Sequence, residues 1–152
     1  LIMKLIRKQA HLPPITLFVS KMDEACPSMA FSQQTSNDPL FLIVGTSKGE
    51  AIFYPISNQT TSQPITKFVS ENQSPITAIA EGCLRDPKIK EIITIHANGL
   101  THLLDYPKEL DGPLKTFSQQ IYANVNTCRI LDIDGDKICE LLVMLTDRVG
   151  QF

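Results

Sequence analysis

The residues best suited to chemistry in this chain form the acidic stretch Asp132-Ile133-Asp134-Gly135-Asp136-Lys137-Ile138-Cys139-Glu140. Carboxylates occupy its first, third, fifth and ninth positions, and a backbone carbonyl is available at the seventh. Ca²⁺ binds about six to eight oxygen ligands, and alternate residues of a tight loop can direct several carboxylates inward. The spacing therefore predicts a calcium loop with these ligands: Asp132, Asp134, Asp136, Ile138 through its carbonyl, and Glu140.

The same spacing is also typical of a metal-free turn in which carboxylates cap backbone N–H groups. Lys137 stands at the sixth position, where a calcium loop usually has glycine and where an ammonium group opposes or replaces a cation. The stretch is not an EF-hand, because Val143 occupies the twelfth position, where a bidentate glutamate is required. We expect either no cofactor or one Ca²⁺ here, and a structural role in both cases.

Nucleophilic catalysis is the alternative chemistry that the sequence raises. His96, His102 and Asp105 supply residue types of a serine–histidine–aspartate group, but the chain has no G-x-S-x-G elbow. Residues 45–49 contain P-loop residue types in the wrong order, which favours a hairpin turn. We predict that the protein is not an enzyme and has no catalytic residues.

The elements that must position the acidic stretch recur about every fifty residues, which is the sequence sign of a repeat architecture. Phe18-Val19-Ser20 returns as Phe68-Val69-Ser70 and loosely as Phe117-Ser118. The apolar runs Leu42-Ile43-Val44, Ile92-Ile93-Thr94 and Leu141-Leu142-Val143 follow the same offsets of 50 and 49 residues. A turn succeeds each run, at residues 46–49, 96–99 and 146–148.

Each unit is predicted to contain about four short antiparallel strands. The continuous apolar runs are typical of strands covered on both faces, and Gly49 and Gly99 favour tight hairpins. Four strands per unit of this length indicate a propeller blade. We therefore predict an all-β fold, a partial β-propeller of about two and a half four-stranded blades. The expected divisions are an N-terminal tail at 1–17, formed as a helix or a frayed segment in its first twelve residues, and blades at 18–67, 68–116 and 117–152, the last truncated.

Composition limits the classes of partner. The chain has 152 residues, 43% of them hydrophobic, and a net charge of −2, which excludes wholesale disorder and argues against a nucleic-acid surface. No apolar run reaches the roughly 18–20 residues of a membrane span, and no signal peptide is evident. Cys26, Cys83, Cys128 and Cys139 have irregular spacing, which predicts reduced thiols in a cytoplasmic protein.

An Asp-x-Asp-Gly-Asp-x-x-x-Glu-Leu loop entering an apolar strand resembles the FG-GAP repeat of integrin-α-type β-propellers. Residues 122–124, 132–136, 140–143 and 146–149 are similar in particular to the branch of that family found in the KICSTOR complex, as are 97–105 and 45–49 of the preceding units. The resemblance places Asp132, Asp134, Asp136, Ile138 and Glu140 at the calcium-loop positions of the family. Lys137 departs from its glycine pattern.

The resemblance implies a non-enzymatic scaffold that binds protein subunits of a multisubunit complex. That complex restrains TOR-complex-1 signalling at the lysosomal surface when amino acids are scarce. Two other hypotheses stay open. One is a calcium-stabilised, integrin-like extracellular adhesion propeller, which three intact calcium loops would favour. The other is an enzyme built on propeller blades, which requires carboxylates or histidines converging on one rim.

Overall fold

The computed structural model describes residues 2–5, 15–19, 22–56, 64–105, 116–146 and 149–151. Every regular element in these ranges is a β-strand, so none of the described residues forms a helix that could cross a membrane. The strands are β1 (Ile2–Leu5), β2 (Ile15–Val19), β3 (Ser28–Ser32), β4 (Phe41–Gly45), β5 (Glu50–Pro55), β6 (Thr66–Val69), β7 (Ile76–Asp86), β8 (Ile89–His96), β9 (Leu100–Asp105), β10 (Thr116–Gln120), β11 (Val125–Leu131), β12 (Glu140–Leu145) and β13 (Val149–Gln151).

Three antiparallel sheets follow one another along the chain. The first sheet has the order β3-β4-β5-β6, the second has β7-β8-β9-β10, and the third has β11-β12-β13. Consecutive strands are neighbours in each sheet, as in a propeller blade, and β7 contacts both β3 and β11. The all-β prediction and the partial β-propeller are confirmed, and the sheets do not close into a ring.

One main-chain hydrogen bond recurs in all three sheets and confirms the fifty-residue period. In each sheet, a residue one or two positions beyond the second strand donates its N–H to a carbonyl one to three positions before the first strand. The three bonds are Ser47 to Ala25 (2.9 Å), Ala97 to Pro75 (2.8 Å) and Thr146 to Asn124 (3.0 Å).

Hairpin turns at Gly49 and Gly99 have the backbone geometry that the sequence predicts. Their φ angles are 80° and 82°, in the left-handed region that glycine adopts without steric cost. A Cβ atom at Gly99 would stand 2.0 Å from the carbonyl oxygen of Ile121, so any other residue is excluded there. The second hairpin therefore depends on both the freedom and the small size of glycine.

Apolar side chains fill the spaces between successive sheets. The interface of the first and second sheets centres on Ile43, Phe53, Ile76, Ile92 and Leu104, all fully buried. The interface of the second and third sheets centres on Ile93, Ile95, Cys128, Leu141 and Val143. The outer face of the first sheet carries a third cluster, Leu42, Val44 and Tyr54. Strand β4 is buried on both faces, as its continuous apolar run predicts.

The beginning of the chain contains a pair of strands. In β1 and β2, Ile2 pairs with Val19 and Leu5 with Ile15, so the stretch expected as a helix or tail includes extended backbone. The predicted blade boundaries at 67/68 and 116/117 lie within β6 and β10. These two strands contain Phe68 and Phe117, and each is the fourth strand of the sheet that precedes the predicted boundary.

Candidate functional site

The acidic loop lies where the second and third sheets meet. It joins β11 to β12, and the pair formed by Leu131 and Glu140 closes its base. The N–H of Cys139 donates to the carbonyl of Cys83 on β7, at 2.9 Å. The loop is therefore attached to two sheets, while most of its residues are exposed.

Three of the predicted ligands converge. One carboxylate oxygen from each of Asp132, Asp134 and Asp136 lies within 4.8 Å of the others. Glu140 is outside this trio, and its Oε2 atom accepts a hydrogen bond from the N–H of Ile133 at 2.9 Å. Ile138 lies in the loop, with its side chain exposed.

Backbone N–H groups hold the carboxylates in place. Asp132 accepts from Gly135 at 2.6 Å through Oδ1 and from Lys137 at 2.9 Å through Oδ2. Each of the other two aspartates accepts from the residue two positions further on, Asp134 at 3.2 Å and Asp136 at 2.8 Å. This is the capping arrangement that the sequence offers as the alternative to a metal loop.

Lys137, at the position where the resemblance implies glycine, has left-handed backbone. Its φ angle is 74°, close to the 83° of Gly135 in the same loop. Left-handed backbone costs a non-glycine residue roughly 1–2 kcal/mol. The turn at the sixth position is therefore kept, at the expense of local strain.

The loop has the donor chemistry of a hard-cation site. An ionised carboxylate has about four lone-pair positions, so an oxygen bonded to one N–H still accepts from a cation. The aspartate trio fits Ca²⁺ in ligand type and in convergence, and Lys137 is the misfit. Metal binding stays a prediction. Among the described residues this is the one group of three acidic, histidine or cysteine side chains close enough to share an ion, so no second calcium loop supports the adhesion hypothesis.

A partly buried polar cluster is the second chemical feature, and the sequence analysis names its histidines but not their partners. His102 lies between two hydroxyls, with Nε2 3.2 Å from Ser70 Oγ and Nδ1 2.9 Å from Ser118 Oγ. Its ring contacts Phe68 and His96 edge to face, with centroid distances of 4.9 and 5.1 Å. Burial, and next the neighbouring His96, lower the pKa of His102 to about 4.

His96 is held in one tautomer. Its Nδ1 atom lies 2.7 Å from the carbonyl of Ser74, and a carbonyl only accepts, so this nitrogen carries the proton. The Nε2 atom is buried and has no hydrogen-bond partner among the described residues. Burial lowers the pKa of His96, and the bond to Ser74 opposes that effect. Both histidines are thus neutral at pH 7.

Asp105 does not complete a serine–histidine–aspartate group. Its Oδ1 atom accepts from Arg85 at 2.7 Å, and Arg85 also binds Glu91 through Nε and through its backbone N–H. Glu91 is 2% exposed, so Arg85 supplies the countercharge of a buried carboxylate. No local pattern predicts this pair, because it forms where the register of β7 and β8 shifts between Gly82 and Asp86.

Two comparisons with known proteins agree with this repeat structure. A family model described as integrin-alpha FG-GAP repeat-containing protein 2 matches residues 58–152, more than half of the chain. KICSTOR complex protein ITFG2 of Bos taurus is 30% identical over 121 residues, which cover 71% of this chain and 22% of the relative. The resemblance drawn from the acidic loop and the repeat is therefore confirmed. This chain belongs to the integrin-alpha FG-GAP repeat-containing protein 2 family.

Proposed function

We propose that this chain is part of a protein-interaction scaffold, a subunit of a multisubunit complex of the KICSTOR kind. The observation that carries the proposal is the 30% identity over 121 residues to a protein named as a member of that complex. Because the chain spans 22% of that relative, the proposal concerns assembly into the complex and not the full set of contacts that the relative makes.

The geometry supports a binding role without chemistry of its own. The polar groups considered for catalysis are engaged in structural contacts: His102 with two serines, Asp105 with Arg85, and the aspartates with backbone N–H groups. Propeller blades supply many different surfaces from one scaffold, so the partners would be recognised by residues at the loops and faces of the sheets. We accordingly propose a non-enzymatic protein.

The finer proposal concerns the pathway and the place. By its kinship, the chain would help to restrain TOR-complex-1 signalling at the lysosomal surface when amino acids are scarce, with a cytoplasmic location. The partners would be other protein subunits, and the net charge of −2 disfavours nucleic acid. Peripheral attachment through those subunits would require no membrane span in this chain.

The experiment is affinity purification of the tagged chain from its own cells, followed by mass spectrometry. We expect the subunits of the KICSTOR complex to be enriched, as they would be with the tagged cattle relative used as positive control. Gly99→Val is the matched negative control, because its side chain would collide with the carbonyl of Ile121 and disrupt the second sheet. If the folded chain enriches none of those subunits while the relative does, the proposal fails.

A further inference from the structure

Two cysteines meet at the junction that holds the acidic loop. The N–H of Cys139 donates to the carbonyl of Cys83 at 2.9 Å, across the space between the second and third sheets. Main-chain bonds of this kind hold neighbouring strands with facing Cα atoms about 4.5–5.5 Å apart. That separation falls inside the range of about 4.4–6.8 Å that disulfides span.

The Cys139 thiol also affects the titration of Cys83. Burial, and next the charge of the Cys139 thiolate, raise the pKa of Cys83, while Lys90 acts in the opposite direction. Such charge effects weaken with distance, so this one agrees with two side chains at the same junction. Both residues are half-buried rather than enclosed, so a small reagent can reach them.

The fold brings the same two positions together at the first junction. Subtracting the offsets of 50 and 49 residues converts Cys83 and Cys139 into Gln33 and Lys90. There the Lys90 ammonium donates to the carbonyl of Gln33 at 2.6 Å, between the first and second sheets. The repeat thus places these two positions on facing sides of one junction, and the second junction has thiols where the first has an ammonium–carbonyl contact.

The remaining cysteines lie elsewhere. Cys128 is buried in the interface of the second and third sheets, and burial raises its pKa to about 12. Cys26 packs against the outer face of the first sheet, with its Sγ atom 3.3 Å from the sulfur of Met22. Cys26 and Cys128 therefore serve as internal controls for the reactions of Cys83 and Cys139.

We propose that Cys83 and Cys139 form a reversible disulfide that ties the acidic loop to the second sheet, with a small-molecule disulfide of the glutathione class as the oxidant. One cysteine thiolate attacks a sulfur of the oxidant, forming a mixed disulfide and expelling one small thiolate. The second cysteine thiolate then attacks the protein sulfur of that bond and expels the other small thiolate. Two protein thiols are oxidised, the small disulfide is reduced to two thiols, and these take up the protons.

The consequence is a covalent link at a contact that a main-chain hydrogen bond already joins. Cys139 directly precedes Glu140, the first residue of β12, so the link would fix the end of the acidic loop against β7. An excess of the reduced small thiol would reverse it. The inference does not depend on the proposed scaffold function.

The test is redox titration of the full 152-residue chain in mixtures of reduced and oxidised glutathione, followed by acid quenching, alkylation and peptide mapping. We expect one cross-linked peptide pair containing Cys83 and Cys139, lighter by two hydrogen atoms than the separate peptides. Cys26 and Cys128 should remain alkylated. Oxidation should raise the melting temperature of the native chain by several degrees, and a reductant should reverse the shift.

Single-cysteine variants distinguish two thiols that form a disulfide with each other from two thiols that react independently. In Cys83→Ser, oxidation should stop at a glutathione adduct on Cys139, and in Cys139→Ser at an adduct on Cys83. Cys26→Ser should cross-link like the natural chain. In strong denaturant the preference for this pair should disappear. Glutathione adducts on both cysteines of the natural chain, or a dominant bridge to Cys26 under native conditions, would overturn the proposal.

Discussion

Gly82 on β7 lies directly against Ile130 on β11, so close that a methyl group placed on Gly82 would stand 2.2 Å from the Ile130 Cγ2 atom and 2.7 Å from its Cβ. Branched side chains cannot yield by that distance without moving the strand. The approach of the third sheet to the second therefore requires glycine at this position.

Substituting Gly82 by alanine is expected to lower the free energy of unfolding by about 1–3 kcal/mol, the usual cost of overpacking a core. Chemical denaturation measures the change. Ile130→Ala removes the Cγ2 atom but keeps the Cβ atom 2.7 Å away. Gly82→Ala should therefore cost less in that background than in the natural chain, and the double-mutant cycle should show favourable coupling. Equal costs in both backgrounds would mean that the two side chains do not compete for one space.

Removing Arg85 is expected to destabilise the second sheet. The Glu91 carboxylate is 2% exposed, and without the guanidinium it would be a buried charge with a weaker set of partners. We expect Arg85→Ala to cost about 2–3 kcal/mol by denaturation. Asp105→Asn, which weakens the exposed arm of the same ion pair, should cost less than about 1 kcal/mol. If the two variants were equally destabilising, the countercharge role of Arg85 would be refuted.

Stability should fall in mild acid because of His102. Its folded pKa of about 4 lies below the ordinary value of 6.5, so the unfolded chain binds the extra proton first. The contribution is fully present above pH 6.5 and is lost as pH falls toward 4. Between pH 7.5 and pH 5, this histidine should account for about 2 kcal/mol of lost stability.

The matched variant is His102→Gln, which keeps a donor and an acceptor between Ser70 and Ser118 but has no titrating ring. Denaturation curves at several pH values give the free energy of unfolding of each protein. The comparison is between the slopes of this free energy against pH and not between its absolute values. The natural chain should lose more stability in acid than the variant, and parallel pH profiles would show that His102 is not the titrating group.

Lys137→Gly should stabilise the acidic loop. Lys137 has a φ angle of 74°, and glycine adopts that conformation without the clash of a Cβ atom. Relief of this strain stabilises the folded chain, while the greater flexibility of glycine stabilises the unfolded chain. The net result should be a free energy of unfolding that is higher by about 0.5–1 kcal/mol. Lys137→Ala is the control, since it removes the charge but keeps the Cβ atom. A similar gain in the alanine variant would assign the effect to charge.

Calcium binding to the acidic loop is tested by melting the chain in Ca²⁺ and in chelator. If the aspartate trio binds Ca²⁺, a free Ca²⁺ concentration about a hundred times the dissociation constant should raise the free energy of unfolding by about 2.7 kcal/mol. The melting temperature should then rise by roughly 5–10 °C. Asp134→Asn keeps an oxygen to accept from Asp136 N–H but lowers the charge, so the shift should shrink. Identical melting temperatures in calcium and in chelator would exclude the metal site and leave only the capping interpretation.

The repeat made most of the fold predictable from the sequence. The apolar runs coincide with β4, β8 and β12, and the glycine turns lie between the predicted strands. Strand β3 was not recognised from the sequence. Its large apolar residues, Met29 and Phe31, are about half exposed, whereas the polar residue Ser32 is buried. Strand β7 extends to Asp86, because pairing with β8 overrides the glycine at 82.

The chemistry of the site was only partly predictable. The acidic loop is local in sequence, so its carboxylates and their turn follow from spacing alone. The contacts of His102 with Ser70, of Arg85 with Glu91, and of Cys83 with Cys139 join residues that only the pairing of strands and sheets brings together. No spacing rule within one strand reports such contacts.

The main-chain bond that recurs in the three sheets has a consequence for how far such repeats can diverge. Its acceptors are the carbonyls of Ala25, Pro75 and Asn124, three chemically unrelated residues, and even proline serves because its missing N–H is not used. Since neither partner contributes a side chain, mutation at these positions leaves the bond intact. The units can therefore lose almost all likeness to one another while keeping one architecture, which leaves their surfaces free to specialise separately.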